Sequence, residues 1–247
     1  MPVIQKLKSY FFHQKQLELS AAAAYDYWSS AYDDQPDNLM LALDEKIVNP
    51  IMDDLQLADK IIVDIGCGTG RYWQKILNKK PKRLIGYDVS AGMLSKLNLK
   101  FPTAETYLLK GNILENLENE SCDVIISTLT IAHIENIDHA IQEWSRVLNE
   151  NGTIILTDYH PAALAKGGKR TFKHDGQSIA IENHVHHIET IKKKAAENSL
   201  VVIEFKEVKI DDSVKIYYEK QHALSVYEKF YGIPIIYGML LRKKVCC

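Results

Sequence analysis

The amino-acid sequence predicts an α/β fold built around one mostly parallel β-sheet. From residue 60 onwards, short apolar runs alternate with segments whose apolar residues recur at helical spacing. This alternation is typical of βαβ units, in which consecutive strands lie parallel and the connecting helices cover the sheet. Seven apolar runs qualify as strands, so we expect a seven-stranded sheet with helices on both faces.

The seven predicted strands fall into two groups along the chain. The first five are IIVDI at 61–65, LIGYD at 84–88, TYLLK at 106–110, DVIIST at 123–128 and TIILTDY at 153–159. A helical pattern from Ala140 to Leu148 separates the fourth from the fifth. A lysine-rich helix at 188–198 and a tyrosine-rich helical stretch then alternate with the last two strands, VVIEFKEVKI at 201–210 and IPIIYGMLL at 233–241.

The residues before the first strand have a different pattern. Residues 1–58 are rich in aromatic and amphipathic segments, and we expect them to form an N-terminal helical cap. An apolar helical pattern follows Asp37, although Pro50 should bend or break that helix. Residues 59–247 should then form one α/β domain that carries the catalytic site.

A polar, glycine-containing insertion at about residues 160–187 follows the fifth strand. It contains a predicted β-hairpin with Asp175 and Gly176 at the turn, and we interpret the insertion as a lid. Its basic side chains either contact an anionic substrate or form a solvated charged face, and a charge run more often does the latter. These basic residues are Lys166, Lys169, Arg170 and Lys173.

Composition and charge restrict the classes of function. The chain is 46% hydrophobic and 25% charged, as in ordinary globular proteins, and no apolar run approaches the roughly 18 residues that span a bilayer. No export signal is recognisable, so we expect a cytoplasmic protein that does not bind membranes. A net charge of −2 gives no overall attraction for nucleic acid. The spacing of Cys67, Cys122, Cys246 and Cys247 suggests neither a zinc site nor a disulfide framework, and we predict no metal.

The sequence VDIGCGTGR, after the first predicted strand, carries the strongest functional signal. Its glycines, Gly66, Gly68 and Gly70, allow the backbone to approach a ligand closely. A nicotinamide dinucleotide loop would have its last glycine three positions after Gly68, where this chain has Arg71. Asp64 beside the loop would repel a pyrophosphate, whereas it would attract the ammonium and sulfonium charges of S-adenosylmethionine.

A second carboxylate follows at the end of the next predicted strand. Asp88 stands where a carboxylate can accept hydrogen bonds from both hydroxyls of a ribose. Ser90 should then cap a helix whose apolar side includes Met93. An isolated aspartate of this kind is more often a turn or cap residue, but its combination with the glycine loop favours a nucleoside-containing ligand.

Over roughly residues 25–160, these motifs resemble those of class I S-adenosylmethionine-dependent methyltransferases, particularly the ubiquinone and menaquinone methyltransferase group. The resemblance implies a Rossmann-like fold, S-adenosylmethionine as cofactor, S-adenosylhomocysteine as product and in-line displacement of the methyl group. It also implies that GNILE supplies polar and apolar contacts to adenine, that STLTIAHI lies along the edge of the cofactor, and that YWSSAYD supplies a lid tyrosine over the methionine end. The cofactor-binding residues so predicted are Tyr32, Asp64, Gly66, Cys67, Gly68, Gly70, Asp88, Val89, Met93, Asn112, Ile113, Thr128, Leu129 and His133.

The methyl acceptor is predicted only by class. No NPPY-like sequence follows the fourth strand, which disfavours methylation of adenine N6 or cytosine N4, and we expect a small-molecule acceptor. Methylation of RNA or protein, and cofactor binding without catalysis, remain alternatives. Residues predicted to contact the substrate come from the cap, the end of the fifth strand and the insertion. They are Tyr25, Trp28, Tyr159, His160, His184 and His186.

Three histidines are candidates for a general base: His133, His160 and His184. In the segment NHVHHIE, strand alternation would place His184 and His186 on one face beside Glu182. That face either lines the pocket or is an ordinary solvated strand, and a metal is a weaker possibility. His160 either contacts the substrate or, with Pro161, merely ends the strand.

Overall fold

A computed structural model describes residues 17–174 and 176–245 of the chain. Its strands are β1 Leu17–Leu19, β2 Ile61–Ile65, β3 Arg83–Asp88, β4 Glu105–Leu108, β5 Cys122–Thr128, β6 Leu148–Tyr159, β7 Thr171–His174, β8 Gln177–Ile181, β9 Leu200–Lys209 and β10 Pro234–Lys243. Seven of them form one sheet in the order β4-β3-β2-β5-β6-β10-β9. Only β10 runs antiparallel to its neighbours, so the predicted seven-stranded, mostly parallel sheet is confirmed.

Helices cover both faces of this sheet. They are α1 Ala21–Trp28, α2 Leu39–Asp54, α3 Trp73–Asn78, α4 Ala91–Lys100, α5 Ile137–Val147, α6 Pro161–Ala165, α7 Ile188–Glu197, α8 Lys215–Lys220 and α9 Leu224–Phe230. Helices α2, α3 and α4 bury one apolar cluster against the sheet, and α5 and α7 bury the other. Side chains alternate along each strand, so Ile62 belongs to the first cluster and Val63 to the second.

Helix α2 continues through Pro50, contrary to the expected break. Asn38 caps its first turn by accepting a hydrogen bond from the Leu41 amide at 3.2 Å. A proline inside a helix costs about 3 kcal/mol or more. The helix nevertheless buries Ile47 and Ile51 on either side of this proline, and each fully buried aliphatic side chain contributes roughly 1.5–3 kcal/mol. Burial of the helix face therefore explains why it stays continuous.

The N-terminal region and the insertion share a second, three-stranded sheet in the order β1-β8-β7. The hairpin of β7 and β8 forms as expected, although Asp175 of its turn lies outside the described residues. Strand β1 pairs parallel to β8, with Leu17 opposite Ile179. The cap is therefore not purely helical, and it packs together with the insertion as one layer.

Strand β8 ends at Ile181, earlier than the sequence pattern predicts. Residues 182–187 form an irregular segment that leads into α7. His184 and His186 therefore do not lie on a strand, and the expected alternation does not order them.

Some residues singled out in the sequence lie outside the described part of the chain. These are the aromatic residues before position 17 and the pair Cys246 and Cys247. Among the residues that are described, no helix has the length and apolar character required to cross a membrane.

Candidate functional site

The glycine loop begins directly after β2 and needs glycine for two different reasons. Gly68 has a φ of +54°, and a Cβ added there would meet no atom within 4 Å, so this part of the loop faces open space. Gly66 has a φ of +71°, and an added Cβ would approach the Thr130 hydroxyl to 2.1 Å. The loop therefore combines a left-handed backbone with one side that is free for a ligand.

Two buried carboxyls lie beside this loop. Asp64 accepts a hydrogen bond from the indole nitrogen of Trp73 at 2.9 Å, and Asp88 accepts one from the amide of Gly68 at 2.8 Å and one from Ser90 at 2.9 Å. Burial raises the pKa of Asp64 to about 7 and that of Asp88 to about 6. A positive charge bound nearby would favour the ionised form of both carboxyls.

A cavity of about 420 Å³ opens over the ends of β2, β3 and β5. One part of its wall, which we call the loop side, consists of the glycine loop and the strand ends, and the other, the cap side, consists of α1, His133 and the segment after β8. The predicted site residues that line it are Tyr25, Tyr32, Asp64, Gly66, Cys67, Gly68, Asp88, Val89, Met93, Asn112, Thr128, Leu129, His133 and His184.

Two residues predicted to bind the cofactor do not line the cavity. Gly70 turns the chain behind the loop, where an added Cβ would lie 3.1 Å from the ring of Phe101. Ile113 is 61% exposed beside Asn112, which does line the cavity. Gly70 therefore has a packing role, and Ile113 is largely exposed outside the cavity lining.

Two aromatic residues predicted to contact the substrate also lie outside the cavity lining. Trp28 stacks on Phe172 of the insertion, with ring centroids 4.9 Å apart. Tyr159 lies below the guanidinium of Arg170, 4.9 Å from its ring centroid. Both rings therefore support residues of the cap side from behind.

His160 is placed away from the cavity, as the cap of α6. Its Nδ1 accepts a hydrogen bond from the amide of Ala162 at 3.1 Å, and its Nε2 lies 2.7 Å from a carboxylate oxygen of Glu207. Both ring nitrogens are thus occupied in a residue that is 7% exposed. The interpretation of His160 as the residue that ends the strand fits this arrangement, and a role as base or substrate contact does not.

The histidines after β8 have separate environments. His184 lines the cavity, whereas Nε2 of His186 lies 2.6 Å from the carbonyl oxygen of Ile134, to which it must donate. Their rings are 6.4 Å apart. Across residues 17–174 and 176–245, no group of three or more His, Cys, Asp or Glu side chains is arranged to hold a metal ion.

Arg170 forms a buried network, so the prediction of a solvated basic face was wrong for this residue. It is 8% exposed, and its Nη2 lies 3.3 Å from a carboxylate oxygen of Asp158. Its Nη1 donates to the carbonyl of Leu129 at 2.8 Å and to the hydroxyl of Tyr25 at 2.7 Å. Arg170 therefore joins the insertion to the cap and to the turn after β5, where Leu129 has a φ of +55°.

His133 completes this network in its neutral form. Its Nδ1 lies 3.0 Å from the carbonyl oxygen of Glu182, so Nδ1 carries the hydrogen. Its Nε2 contacts the hydroxyl of Tyr25 at 3.0 Å and also Nη1 of Arg170. Burial and the charge of Arg170 lower the pKa of His133 to about 3. A neutral imidazole whose lone pair already accepts hydrogen bonds is poorly suited to act as a base.

Arg71 is a cavity residue that the sequence analysis did not assign to the site. It forms a salt bridge with the fully buried Asp44, which also accepts a hydrogen bond from the hydroxyl of Tyr72 at 2.6 Å. In the sequence, the feature that could have identified Arg71 is its position directly after the glycine loop. Its partner lies in α2, in a helical pattern that gave no indication of a charge pair.

Comparison with known proteins identifies relatives of the central part of the chain. Residues 63–156 match a family model described as a methyltransferase domain. The ubiquinone/menaquinone biosynthesis C-methyltransferase UbiE of Campylobacter jejuni is 32% identical over 116 residues, which cover 44% of this chain and 48% of that protein. A tRNA U34 carboxymethyltransferase of Campylobacter fetus is 30% identical over 110 residues, which cover 41% and 37%. The chain spans about half the length of the first curated relatives that it matches.

A solved structure extends the comparison to most of the chain. An S-adenosylmethionine-dependent methyltransferase from Mesorhizobium loti matches with a TM-score of 0.63 at 16% identity, covering 81% of this chain and 98% of that one. At this level of identity the likeness shows the fold alone.

Proposed function

We propose that the chain, whose residues 63–156 match the methyltransferase domain, is a class I, S-adenosylmethionine-dependent methyltransferase that transfers a methyl group from this cofactor to a small-molecule acceptor. The observation that carries the proposal is that two buried carboxyls, Asp64 and Asp88, both lie beside a glycine loop that faces the cavity. A cavity of about 420 Å³ is within the ordinary range for small-molecule sites.

The residues of the loop side fit the cofactor. S-adenosylmethionine supplies a methyl group activated by a sulfonium charge. Asp64 would bind its ammonium group, Asp88 would accept hydrogen bonds from its ribose, and Asn112 with Val89 would hold its adenine. The open face of Gly68 leaves room for close approach of the ligand. Both carboxyls would ionise fully beside a cation, which favours S-adenosylmethionine over an anionic nucleotide.

The cap side would hold the acceptor. Tyr25, Glu182 and His184 line the cavity there and come from the cap and from the segment after β8, which together cover it. Loops beyond the carboxyl ends of parallel strands commonly surround a ligand crevice. This cover supports an acceptor small enough to lie beneath it, and His184 is the lining histidine best placed to serve as base.

A tRNA acceptor is the second candidate, because one relative is named as a tRNA carboxymethyltransferase. A net charge of −2 gives no overall attraction for RNA. Transfer of radiolabelled methyl groups to a metabolite mixture, to total tRNA and to protein would separate the three acceptor classes. Cofactor binding without transfer to any of them would indicate a non-catalytic binding protein.

Cofactor binding is tested by calorimetry with S-adenosylhomocysteine. We expect Asp88→Ala to weaken binding by about 10- to 100-fold, because it removes the acceptor for the ribose hydroxyls. Asp211→Ala is a matched control, since Asp211 also accepts a hydrogen bond from the amide two residues later, at 2.9 Å, but lies away from the cavity. Unchanged affinity in a folded Asp88→Ala protein would contradict the proposed cofactor site.

A further inference from the structure

We propose that the hydroxyl of Tyr25 donates a hydrogen bond to an oxygen atom of the methyl acceptor, and that Arg170 is the positioning residue that frees it to do so. The inference rests on the proposed function and specifies the chemical class of the acceptor. Tyr25 and His133 both line the cavity, whereas Arg170 lies behind them and pairs with Asp158.

Nη1 of Arg170 has fewer hydrogens than there are acceptors around it. This nitrogen has two hydrogens, yet three acceptors surround it. These are the carbonyl of Leu129 at 2.8 Å, the hydroxyl of Tyr25 at 2.7 Å and Nε2 of His133. At any moment one of the three receives no hydrogen from Nη1. The network therefore has more than one arrangement of its hydrogens.

His133 decides which arrangements are possible. Its Nδ1 hydrogen is committed to the carbonyl of Glu182, so Nε2 offers a single lone pair. Tyr25 and Arg170 compete for that lone pair. In one arrangement Tyr25 donates to His133. In the other, Nη1 of Arg170 donates its two hydrogens to His133 and to Tyr25, and the Tyr25 hydrogen then has no acceptor among the described residues, which makes it available to a ligand in the cavity.

The charge states of Tyr25 and His133 allow the change between the two hydrogen-bond arrangements to occur without proton transfer. Burial raises the pKa of Tyr25 above its ordinary value, so the phenol stays protonated and remains a donor. The pKa of His133 is lowered to about 3, so the imidazole stays neutral and remains an acceptor. Only hydrogen bonds change partner, and the exchange operates across the neutral pH range.

The network also indicates what the Tyr25 hydroxyl would recognise. A hydroxyl that accepts from a guanidinium becomes a stronger donor, because hydrogen bonds in a chain polarise one another. The positive charge of Arg170 lies directly behind it, at 2.7 Å. A strong donor backed by a cation favours an oxygen with negative character, such as a phenolate, an enolate or a carbonyl oxygen, over an amine.

The test uses 4-nitrophenol as the probe, bound to the protein saturated with S-adenosylhomocysteine and followed through the absorbance of the phenolate. We expect the wild-type protein to bind the phenolate, and Tyr25→Phe to bind it about 10- to 100-fold more weakly while S-adenosylhomocysteine affinity stays within about twofold. Tyr27→Phe is the matched control. Tyr27 lies on the same helix, is 56% exposed and packs edge-on against His174, away from the cavity.

A second variant tests the role of Arg170. Arg170→Lys keeps the charge but loses the planar pair of donors, so we expect weaker phenolate binding with cofactor affinity preserved. Failure of the wild-type protein to bind S-adenosylhomocysteine would contradict the proposed function itself. If S-adenosylhomocysteine binds, then equal phenolate affinity in the wild-type and Tyr25→Phe proteins, or no phenolate binding to the wild-type protein, would overturn the present inference alone.

Discussion

The loop side and the cap side of the cavity use opposite electrostatic arrangements. On the loop side, burial raises the pKa of two carboxyls, Asp64 and Asp88, and their ionised forms gain from a positively charged ligand. Behind the cap side, the buried cation Arg170 already pairs with Asp158, and neutral Tyr25 and His133 separate it from the cavity. The difference indicates that buried carboxyls favour the cationic cofactor, whereas a neutral hydroxyl with a paired cation behind it favours an acceptor oxygen with negative character.

The largest expected effect concerns the cap side. His184→Ala should lower kcat by about 100-fold or more, because a general base typically contributes 10²–10⁴-fold. His186→Ala is the matched control, since its ring is bonded to the carbonyl of Ile134 and does not line the cavity. Steady-state kinetics with the acceptor identified by methyl transfer would measure both variants.

The same pair of variants also tests the division between the two sides. S-adenosylhomocysteine affinity should be nearly unchanged in both proteins, because neither histidine belongs to the loop side. If His184→Ala raised KM for the acceptor and left kcat unchanged, His184 would line the pocket without acting as a base. Equal losses of kcat in the two variants would contradict the assignment of His184 as the base.

The next effect concerns the loop side. Gly68→Val should weaken S-adenosylhomocysteine binding by roughly 100-fold, because the side chain fills the open face of the loop and a branched residue resists a φ of +54°. Gly232→Val controls for backbone strain, since Gly232 has a φ of +75° with equally open surroundings but lies away from the cavity. Normal affinity in the folded Gly68→Val protein would refute the role of the loop.

The smallest effect is a pH dependence that belongs to the loop side alone. The pKa of Asp64 is about 7 in the folded protein against an ordinary value of 3.8, so the folded state holds this proton more tightly than the unfolded chain does. Its contribution to stability is therefore present below about pH 4 and is lost as the pH rises towards 7. A bound cation reverses the preference, because it favours the ionised carboxyl.

We therefore expect S-adenosylmethionine to bind about tenfold more tightly at pH 7.5 than at pH 5.5. Isothermal titration calorimetry at the two pH values would measure the change. Asp64→Asn retains an oxygen that can accept from the indole of Trp73, and it should flatten the dependence. Phenolate binding by Tyr25 should instead follow the ionisation of the probe. If Asp64→Asn left the pH profile of S-adenosylmethionine binding unchanged, the proposed division would be contradicted.

The fold and the loop side could be predicted from the sequence because their signals are local. The strand predicted at 61–65 is β2, Ile61–Ile65, and the glycine loop with Asp64 follows directly. The side chain of Ser90 caps α4 by accepting from the Met93 amide at 3.1 Å, as its spacing predicted. Each of these features depends on residues a few positions apart, so their spacing in the sequence is enough to predict their arrangement.

Tyr25, His133 and His184 of the cap side were predicted, but the buried network behind them could not be, because its contacts join distant parts of the chain. Arg170 stands among solvated lysines, and its partners Tyr25, Leu129 and Asp158 come from three other elements. Its neighbours in the sequence, such as the exposed Lys169, follow the expected pattern. No local periodicity distinguishes this buried arginine from its exposed neighbours. Strand β1 escaped prediction for the same reason, because it pairs with β8, about 160 residues further along the chain.

The three-stranded sheet of β1, β7 and β8 has a consequence for how the cavity opens. Among the described residues, its buried apolar cluster consists of Ala24, Phe172, Ile179 and Ile181, with Leu19, Ala21, Tyr25 and Trp28 packed against it, whereas the two clusters of the main sheet are far larger. Regions with few buried apolar contacts open at a lower free energy than the rest of a protein. We therefore expect this small sheet to exchange its backbone amide hydrogens faster than the seven-stranded sheet, which would let the cavity open while the main sheet stays intact.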